Sequence, residues 1–277
     1  VSPLISAATL RAALGTPGLK LLDATYYLPS EDKDATALFA AAHLPGARFF
    51  DIDKVADNAS GLPHMLPSAV AFAADMAFLG ISSTDHIVVY DQRGIFSAPR
   101  LWWMLRAFGH NNVQVLDGGL PGWIAAGGPV EAGEPAIATP GQFTAELHPQ
   151  MVRSIDQMFN NLKSRHALVL DARAAARFYA QVPEPRPGMR SGHIPGSISL
   201  PYTELLADGH LLPPEKLRAK FLENGVDGTE PLIASCGSGV TACVLNLGLV
   251  AADLPEAAIY DGSWSEWGSR DDTPIAV

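Results

Sequence analysis

The stretch Leu232-Ile-Ala-Ser-Cys236-Gly-Ser-Gly-Val-Thr241 decides how this chain is read. A short apolar run ends at a cysteine, glycines follow at two of the next three positions, and a helical pattern begins near Val240. About 145 residues earlier stands Ile87-Val-Val-Tyr-Asp91-Gln-Arg-Gly94, the same punctuation with Asp where the later copy has Cys. The correspondence extends in both directions. Leu21-Leu-Asp23-Ala24 matches Val169-Leu-Asp171-Ala172, and His43-Leu-Pro-Gly46 matches His193-Ile-Pro-Gly196. Val115-Leu-Asp117-Gly118 matches Ile259-Tyr-Asp261-Gly262. The separations agree: 20 and 22 residues from the first Asp to the His, 48 and 43 on to the loop residue, 26 and 25 on to the last Asp. Four ordered matches at consistent spacing identify an internal duplication. Two homologous domains are expected at 1–130 and 151–277, joined by a Pro-, Gly- and Ala-rich linker over 131–150.

Each copy alternates apolar runs with longer amphipathic stretches. Strands are predicted at Leu19–Ala24, Ile87–Tyr90, Gln114–Leu116, Ala167–Leu170, Pro231–Ser235 and Ala258–Tyr260. Helices are predicted at Ala69–Leu79, Pro99–Phe108, Leu211–Asn224 and Val240–Leu249. Continuous rather than alternating apolar character marks strands buried on both faces, hence an α/β class with mostly parallel sheets flanked by helices. Pro183-Glu-Pro-Arg-Pro187 is a stiff segment ahead of His193.

Composition removes several function classes. With 48% hydrophobic and 17% charged residues in 277, the chain has the makings of a large core and none of the signature of disorder. No run of about 18 apolar residues reads as a membrane span. A net charge of −10, with no Lys/Arg cluster, argues against nucleic acid as a partner. Two cysteines make no disulfide framework and suit a reducing, cytoplasmic setting. Val1-Ser-Pro-Leu shows no signal peptide, while the absence of an initial Met leaves room for a removed segment.

The loop at Cys236 carries the chemistry. In open α/β sheets, ligands sit beyond the carboxyl ends of strands. Gly237 and Gly239 are expected to adopt backbone conformations closed to other residues and to turn successive N–H groups inward as an anion-binding nest. The following helix adds its positive end, which favours thiolate over thiol and makes Cys236 a nucleophile. Cys243, two turns into that helix among Ala242, Val244 and Leu245, reads as a buried bystander. A Cys-x5-Arg phosphatase is excluded, because the sixth residue after Cys236 is Ala242 and no bidentate phosphate clamp is present. No His or further Cys lies at ligand spacing, so no metal is expected.

Tandem domains with an Asp-bearing first loop and a Cys-bearing second loop resemble the rhodanese family of sulfurtransferases, over essentially the whole chain. Cys236-Gly-Ser-Gly-Val-Thr-Ala242, with Asp261-Gly-Ser-Trp-Ser-Glu-Trp267, is similar to the branch that takes its sulfur from 3-mercaptopyruvate. Thiosulfate-using members usually carry two cations at the second and third loop positions, here Gly237 and Ser238. That split is physically sensible, since a dianion gains from fixed positive charge. The resemblance implies two rhodanese-like domains and a persulfide on Cys236. It implies donor binding by Arg177 and Arg186 with loop residues Gly237, Gly239, Val240 and Thr241, and a proton relay of Ser238, His64 and Asp53. It also implies that no cofactor is needed, that the donor is a small molecule, and that the acceptor is cyanide, a small thiol or a thioredoxin-like protein. Two other readings stay open: a thiosulfate:cyanide sulfurtransferase, and a sulfur-carrier or binding module. His43 and His193, symmetric in the repeat, read as turn residues. Asp117 and Asp261 read as loop braces, Trp102 and Trp103 as packing, and Arg173 and Arg190 as structural. Trp264 and Trp267 are left between packing and a wall of the site.

Overall fold

The computed structural model describes residues 2–135 and 138–277; Val1 and residues 136 and 137 of the expected linker lie outside them. The chain forms two units. One consists of Val1–Asp57, Leu66–His148 and Asp208–Leu211, the other of Asn58–Met65, Pro149–Ala207 and Leu212–Val277.

The first unit is built on a five-stranded sheet of β1 (Leu4–Ile5), β2 (Leu19–Asp23), β3 (Arg48–Phe49), β4 (His86–Tyr90) and β5 (Val113–Leu116), ordered β1-β5-β4-β2-β3. Every pairing in it is parallel. Its helices are α1 (Ala7–Ala13), α2 (Ala35–Ala41), α3 (Ala69–Phe78), α4 (Ala98–Ala107) and α5 (Gly119–Ala125). The second unit repeats the plan with β6 (Val152–Arg153), β7 (Leu168–Asp171), β8 (Ile198–Ser199), β11 (Leu232–Ser235) and β12 (Ala258–Tyr260), ordered β6-β12-β11-β7-β8 and again parallel. Its helices are α6 (Ile155–Ser164), α7 (Ala175–Phe178), α8 (Pro214–Glu223), α9 (Ala242–Ala251) and α10 (Ser263–Trp267). Two short strands, β9 (Leu206–Ala207) and β10 (His210–Leu211), lie between β8 and α8 in the chain. No helix among the described residues is long and apolar enough to cross a membrane.

The predicted central strands are present, each within a residue or two of its expected bounds. The helix expected over 211–224 starts only at Pro214: the Pro213-Pro214 pair fits a first helical turn, where no N–H is needed, and not an interior. The helix expected from Val240 starts at Ala242, with Thr241 as its N-cap.

The repeat is preserved in detail. His43 stacks on Phe39 at 4.2 Å and its Nδ1 lies 2.9 Å from the Phe39 carbonyl; His193 stacks on Phe178 at 3.8 Å with Nδ1 3.0 Å from the Phe178 carbonyl. Each histidine also forms an isolated antiparallel bridge, His43 to Glu131 and His193 to Ala276. Trp123 and Trp267, six residues after Asp117 and Asp261, each donate from Nε1 to a carbonyl of the returning chain, Pro129 at 2.7 Å and Pro274 at 2.8 Å. These tryptophans anchor the apolar clusters of their own units, Trp123 with Leu10, Leu21 and Val88, Trp267 with Val169, Ile233 and Tyr260. Burial of such side chains contributes roughly 2–3 kcal/mol each and holds the strand ends in place.

The copies differ where β2 and β7 end. Asp171 is paired in the second unit with a fully buried Arg173 at 2.6 Å. In the first unit Thr25 stands at that position, and Asp23 accepts from the Thr25 N–H and hydroxyl and from Gln92 Nε2 at 3.2 Å, with no cationic partner among these. Burial pushes the Asp23 carboxyl up to about 6, the three donors oppose the shift, and the nearby Asp91 charge adds to it. Because the folded-state value lies above the unfolded one, the folded form binds the proton more readily. Stability from this group therefore rises as pH falls from 6 towards 4 and is lost as pH rises through 6. Asp23→Asn is expected to narrow the stability difference between pH 5 and pH 7.5 by about 1 kcal/mol, read from urea melts at both values. An unchanged difference would show that Asp23 is ionised throughout.

Candidate active site

Cys236 follows the last residue of β11, the central strand of the second sheet, and is 2% exposed. The strand delivers it to the carboxyl edge, and Ala172 N–H, from the end of β7, bonds to Ser235 O at 2.8 Å. Beyond it the backbone is braced by α10. Trp264 N–H donates to Cys236 O at 3.0 Å, and Ser265 donates to Gly237 O from both N–H (2.8 Å) and Oγ (2.7 Å). In a trans peptide the carbonyl and the next N–H point in opposite directions. Holding the Cys236 and Gly237 carbonyls against α10 therefore turns the N–H groups of Gly237 and Ser238 to the other side. Ser263 completes the brace: its Oγ accepts the Cys236 N–H at 3.2 Å and donates to Tyr260 O at 2.8 Å. It does so from a left-handed conformation, φ 49°, unfavourable for a side chain other than Gly.

The first unit displays what such a loop holds. Asp91 O is bonded by Leu120 N–H at 2.9 Å, the counterpart of the Trp264 bond. The Asp91 carboxylate turns back into its own loop. Oδ1 accepts Arg93 N–H at 2.9 Å, and Oδ2 accepts the N–H groups of Phe96, Ser97 and Ala98 at 2.8, 2.9 and 2.9 Å. Four backbone donors converge on one buried anion. The positions equivalent by repeat to those donors are Ser238, Thr241, Ala242 and Cys243, the last of these being the first residues of α9 and its N-cap. A helix N-terminus with converging N–H groups favours negative charge.

Of the two loop glycines, Gly239 has the expected left-handed backbone, φ 76°, as does its counterpart Gly94 at 107°. Gly237 does not share it. Its constraint is space: a Cβ there would lie 3.3 Å from Arg177 Nη2, 3.8 Å from Arg177 Nη1 and 3.9 Å from Arg186 Nη1. The structure thus brings both expected arginines against the cysteine loop. Arg177 is oriented by Glu184, whose Oε2 pairs with Arg177 Nη2 and whose Oε1 lies 3.3 Å from Arg177 Nε. Glu184 Oε1 also pairs with Arg173 Nη1 at 2.9 Å. Arg173, fully buried, stacks on Trp264 at 4.2 Å and donates to Gly192 O. Trp264 and Trp267 are therefore packing residues, and Arg190 is structural, bonding Trp267 O and Gly268 O.

Ser238, 5% exposed, has its Oγ 2.8 Å from His64 Nδ1. His64 belongs to the segment Asn58–Met65 of the same unit, is buried, and sits at φ 62°. The expected Ser–His pair is thus assembled. Asp53 belongs to the first unit, where it is exposed and its N–H donates to Asp51 Oδ1 at 3.0 Å. Val240 is buried and Thr241 half-buried at the start of α9. Both cysteines are free thiols; Cys243 donates its S–H to Gly239 O at 3.2 Å, a bond that steadies the loop from behind. Among the described residues no group of three or more His, Cys, Asp or Glu is placed to hold a metal ion.

Sequence reasoning missed Ser263, Ser265 and Glu184. A signal for Ser263 existed in the repeat: its counterpart Gly119 also has positive φ, 54°, so a non-Gly residue there had to be held by specific bonds.

This architecture of two Asp/Cys-loop repeats matches a known family. A model of the Rhodanese-like domain matches residues 6–126 and 154–270, and the chain belongs to that family. It is 46% identical over 274 residues to 3-mercaptopyruvate sulfurtransferase of Rattus norvegicus, covering 96% of this chain and 92% of that one. It is 44% identical over 268 residues to thiosulfate sulfurtransferase of Bos taurus, covering 95% and 90%. Among solved structures, that of SseA from Escherichia coli, a 3-mercaptopyruvate enzyme, superposes with a TM-score of 0.87 at 40% identity, covering 95% of this chain and 99% of that one. A sulfur transferase subunit of yeast mitochondrial complex I gives 0.92 at 36% identity, covering 100% and 99%.

The geometry distinguishes the two glycines. Gly239→Ala is expected to destabilise by about 1 kcal/mol through its backbone, seen as a lowered Tm. Gly237→Ala is expected to leave Tm nearly unchanged and to raise the KM for an anionic donor several-fold by displacing Arg177. The reverse pattern would refute this assignment.

Proposed function

We propose that this protein is a sulfurtransferase that moves the sulfur of 3-mercaptopyruvate, by way of a persulfide on Cys236, to a thiophilic acceptor and releases pyruvate. The observation that carries this reading is the meeting of two guanidiniums with the loop of Cys236 around Gly237. A planar guanidinium fork suits a carboxylate and its neighbouring carbonyl. The loop itself, Gly-Ser-Gly-Val-Thr, holds no cation for a sulfur-centred dianion.

In the first half-reaction the donor carboxylate and keto oxygen sit on Arg177 and Arg186, with the thiol sulfur towards Cys236. The Cys236 thiolate attacks that sulfur. An S–S bond forms, the donor's C–S bond breaks, and the electron pair leaves as the enolate of pyruvate. The proton of the donor's thiol is passed along Ser238 and His64 to the enolate carbon, which leaves pyruvate and the Cys236 persulfide anion. The persulfide is held by the loop N–H groups, as the Asp91 carboxylate is held in the other repeat. In the second half-reaction cyanide, a small thiol or a reduced thioredoxin-like protein takes the outer sulfur and restores the Cys236 thiolate. The cysteine itself carries the sulfur, so this scheme routes no step through a cofactor.

Such a double displacement gives parallel initial-rate lines when donor and acceptor are varied together. Intersecting lines would overturn it. Comparing kcat/KM for 3-mercaptopyruvate and thiosulfate tests the donor: preference for 3-mercaptopyruvate supports the assignment, and preference for thiosulfate makes the protein a thiosulfate:cyanide enzyme. Arg186→Ala is expected to raise the KM for 3-mercaptopyruvate by tenfold or more, the loss of one charge-assisted hydrogen-bonding partner. An unchanged KM would favour a carrier module. Cys236→Ser is expected to abolish transfer and Cys243→Ser to preserve it.

A further inference from the structure

Behind the arginines lies a chain of buried charges that the reaction scheme leaves without a task. Asp171 pairs with Arg173, Arg173 with Glu184, and Glu184 with Arg177. The side chains of Arg173, Glu184 and Asp171 are 0%, 1% and 2% exposed, and only Arg177, at 21%, reaches the cysteine loop. A buried carboxylate between two guanidiniums is held tightly, because leaving either partner unpaired is costly. Glu184 sits in Pro183-Glu-Pro-Arg-Pro187, where flanking prolines restrict the backbone and reduce its freedom to turn away.

We propose that Glu184 is the specificity-determining residue of the donor site: its carboxylate fixes the Arg177 fork over Gly237 and offsets the Arg177 charge, so that singly charged donors are favoured over doubly charged ones. The inference rests on the donor reading given above. Orientation follows from the two-point contact, Nη2 to Oε2 and Nε to Oε1, which leaves Nη1 directed elsewhere and sets the plane of the fork. Charge follows from Coulomb's law. A fixed negative charge one guanidinium away from the donor repels a dianion twice as strongly as a monoanion. Arg177 thus serves as an oriented hydrogen-bonding fork more than as a point charge.

The test uses two variants of the full chain and two donors. Glu184→Gln removes the charge and keeps the shape, and Arg173 retains its pairing with Asp171. The ratio of kcat/KM for thiosulfate to that for 3-mercaptopyruvate is expected to rise by about threefold or more, the size of one charge acting through a partly aqueous site. Glu184→Asp keeps the charge and withdraws it by one methylene. It is expected to raise the KM for 3-mercaptopyruvate about five- to tenfold with kcat within about twofold, as a loosened binding fork does, and to leave the donor ratio within about twofold. A merely structural role would lower both donors equally in both variants; that outcome, or an unchanged ratio in Glu184→Gln, overturns the proposal. Should Glu184→Gln not fold, a wild-type KM in Glu184→Asp overturns it alone. A wild type that prefers thiosulfate defeats the donor assignment instead, while the shift of the ratio between wild type and Glu184→Gln still reads the role of Glu184.

Discussion

Everything at the site depends on the backbone N–H groups that face inward where a parallel strand turns into a helix. Buried donors of this kind need an acceptor, and an unpaired one costs about 1–3 kcal/mol. The two repeats meet that need in different ways. In the first, the Asp91 carboxylate folds back and takes four N–H groups, so the loop is complete in itself. In the second, the residue at that position is Cys236, whose side chain is one atom long beyond Cβ and carries sulfur. One fold thus holds a loop closed on its own carboxylate in one copy and a loop that begins with a cysteine in the other.

The rest of the second unit keeps that loop in shape. Ser263 accepts the Cys236 N–H, Trp264 and Ser265 hold the Cys236 and Gly237 carbonyls, Cys243 ties down Gly239 O, and Trp264 links the brace to Arg173 by stacking. Arg173 and Glu184 carry this rigidity to Arg177. Buried ion pairs contribute little net stability compared with apolar packing. Their presence here is better understood as positioning: each guanidinium plane is set by the carboxylate behind it. The first unit, with Thr25 in place of Arg173, shows that the fold does not require the ionic version.

Much of this was legible in the sequence, for identifiable reasons. The central strands are continuous apolar runs, and the repeat supplied a second copy of each punctuation mark, so β2, β4, β7 and β11 were found with nearly correct ends. The edge strands β1, β3, β6 and β8 have two residues each, too few to show a period. Helix α7 has four residues and escapes for the same reason. Within the site, Cys236 and Gly239 followed from loop chemistry alone. Gly237 was read as needing an unusual backbone, whereas its constraint is the close approach of Arg177, which a Cβ would crowd at 3.3 Å. His64 is flanked by Pro63 and Pro67 and looks ordinary in one dimension; only folding brings it to Ser238. Glu184 was hidden because its partners Arg173 and Arg177 stand 11 and 7 residues before it, across a proline-rich loop where no regular period links them.

Cys236 stands in the loop position where Asp91 turns its carboxylate inward, and its sulfur is the atom proposed to accept the donor's sulfur. The most direct measurement is mass spectrometry of the protein after exposure to 3-mercaptopyruvate without an acceptor, followed by peptide mapping. A gain of one sulfur on the peptide containing Cys236, lost on adding cyanide, is expected. No added sulfur, or sulfur found on Cys243 in a Cys236→Ser variant that still turns over, would contradict it.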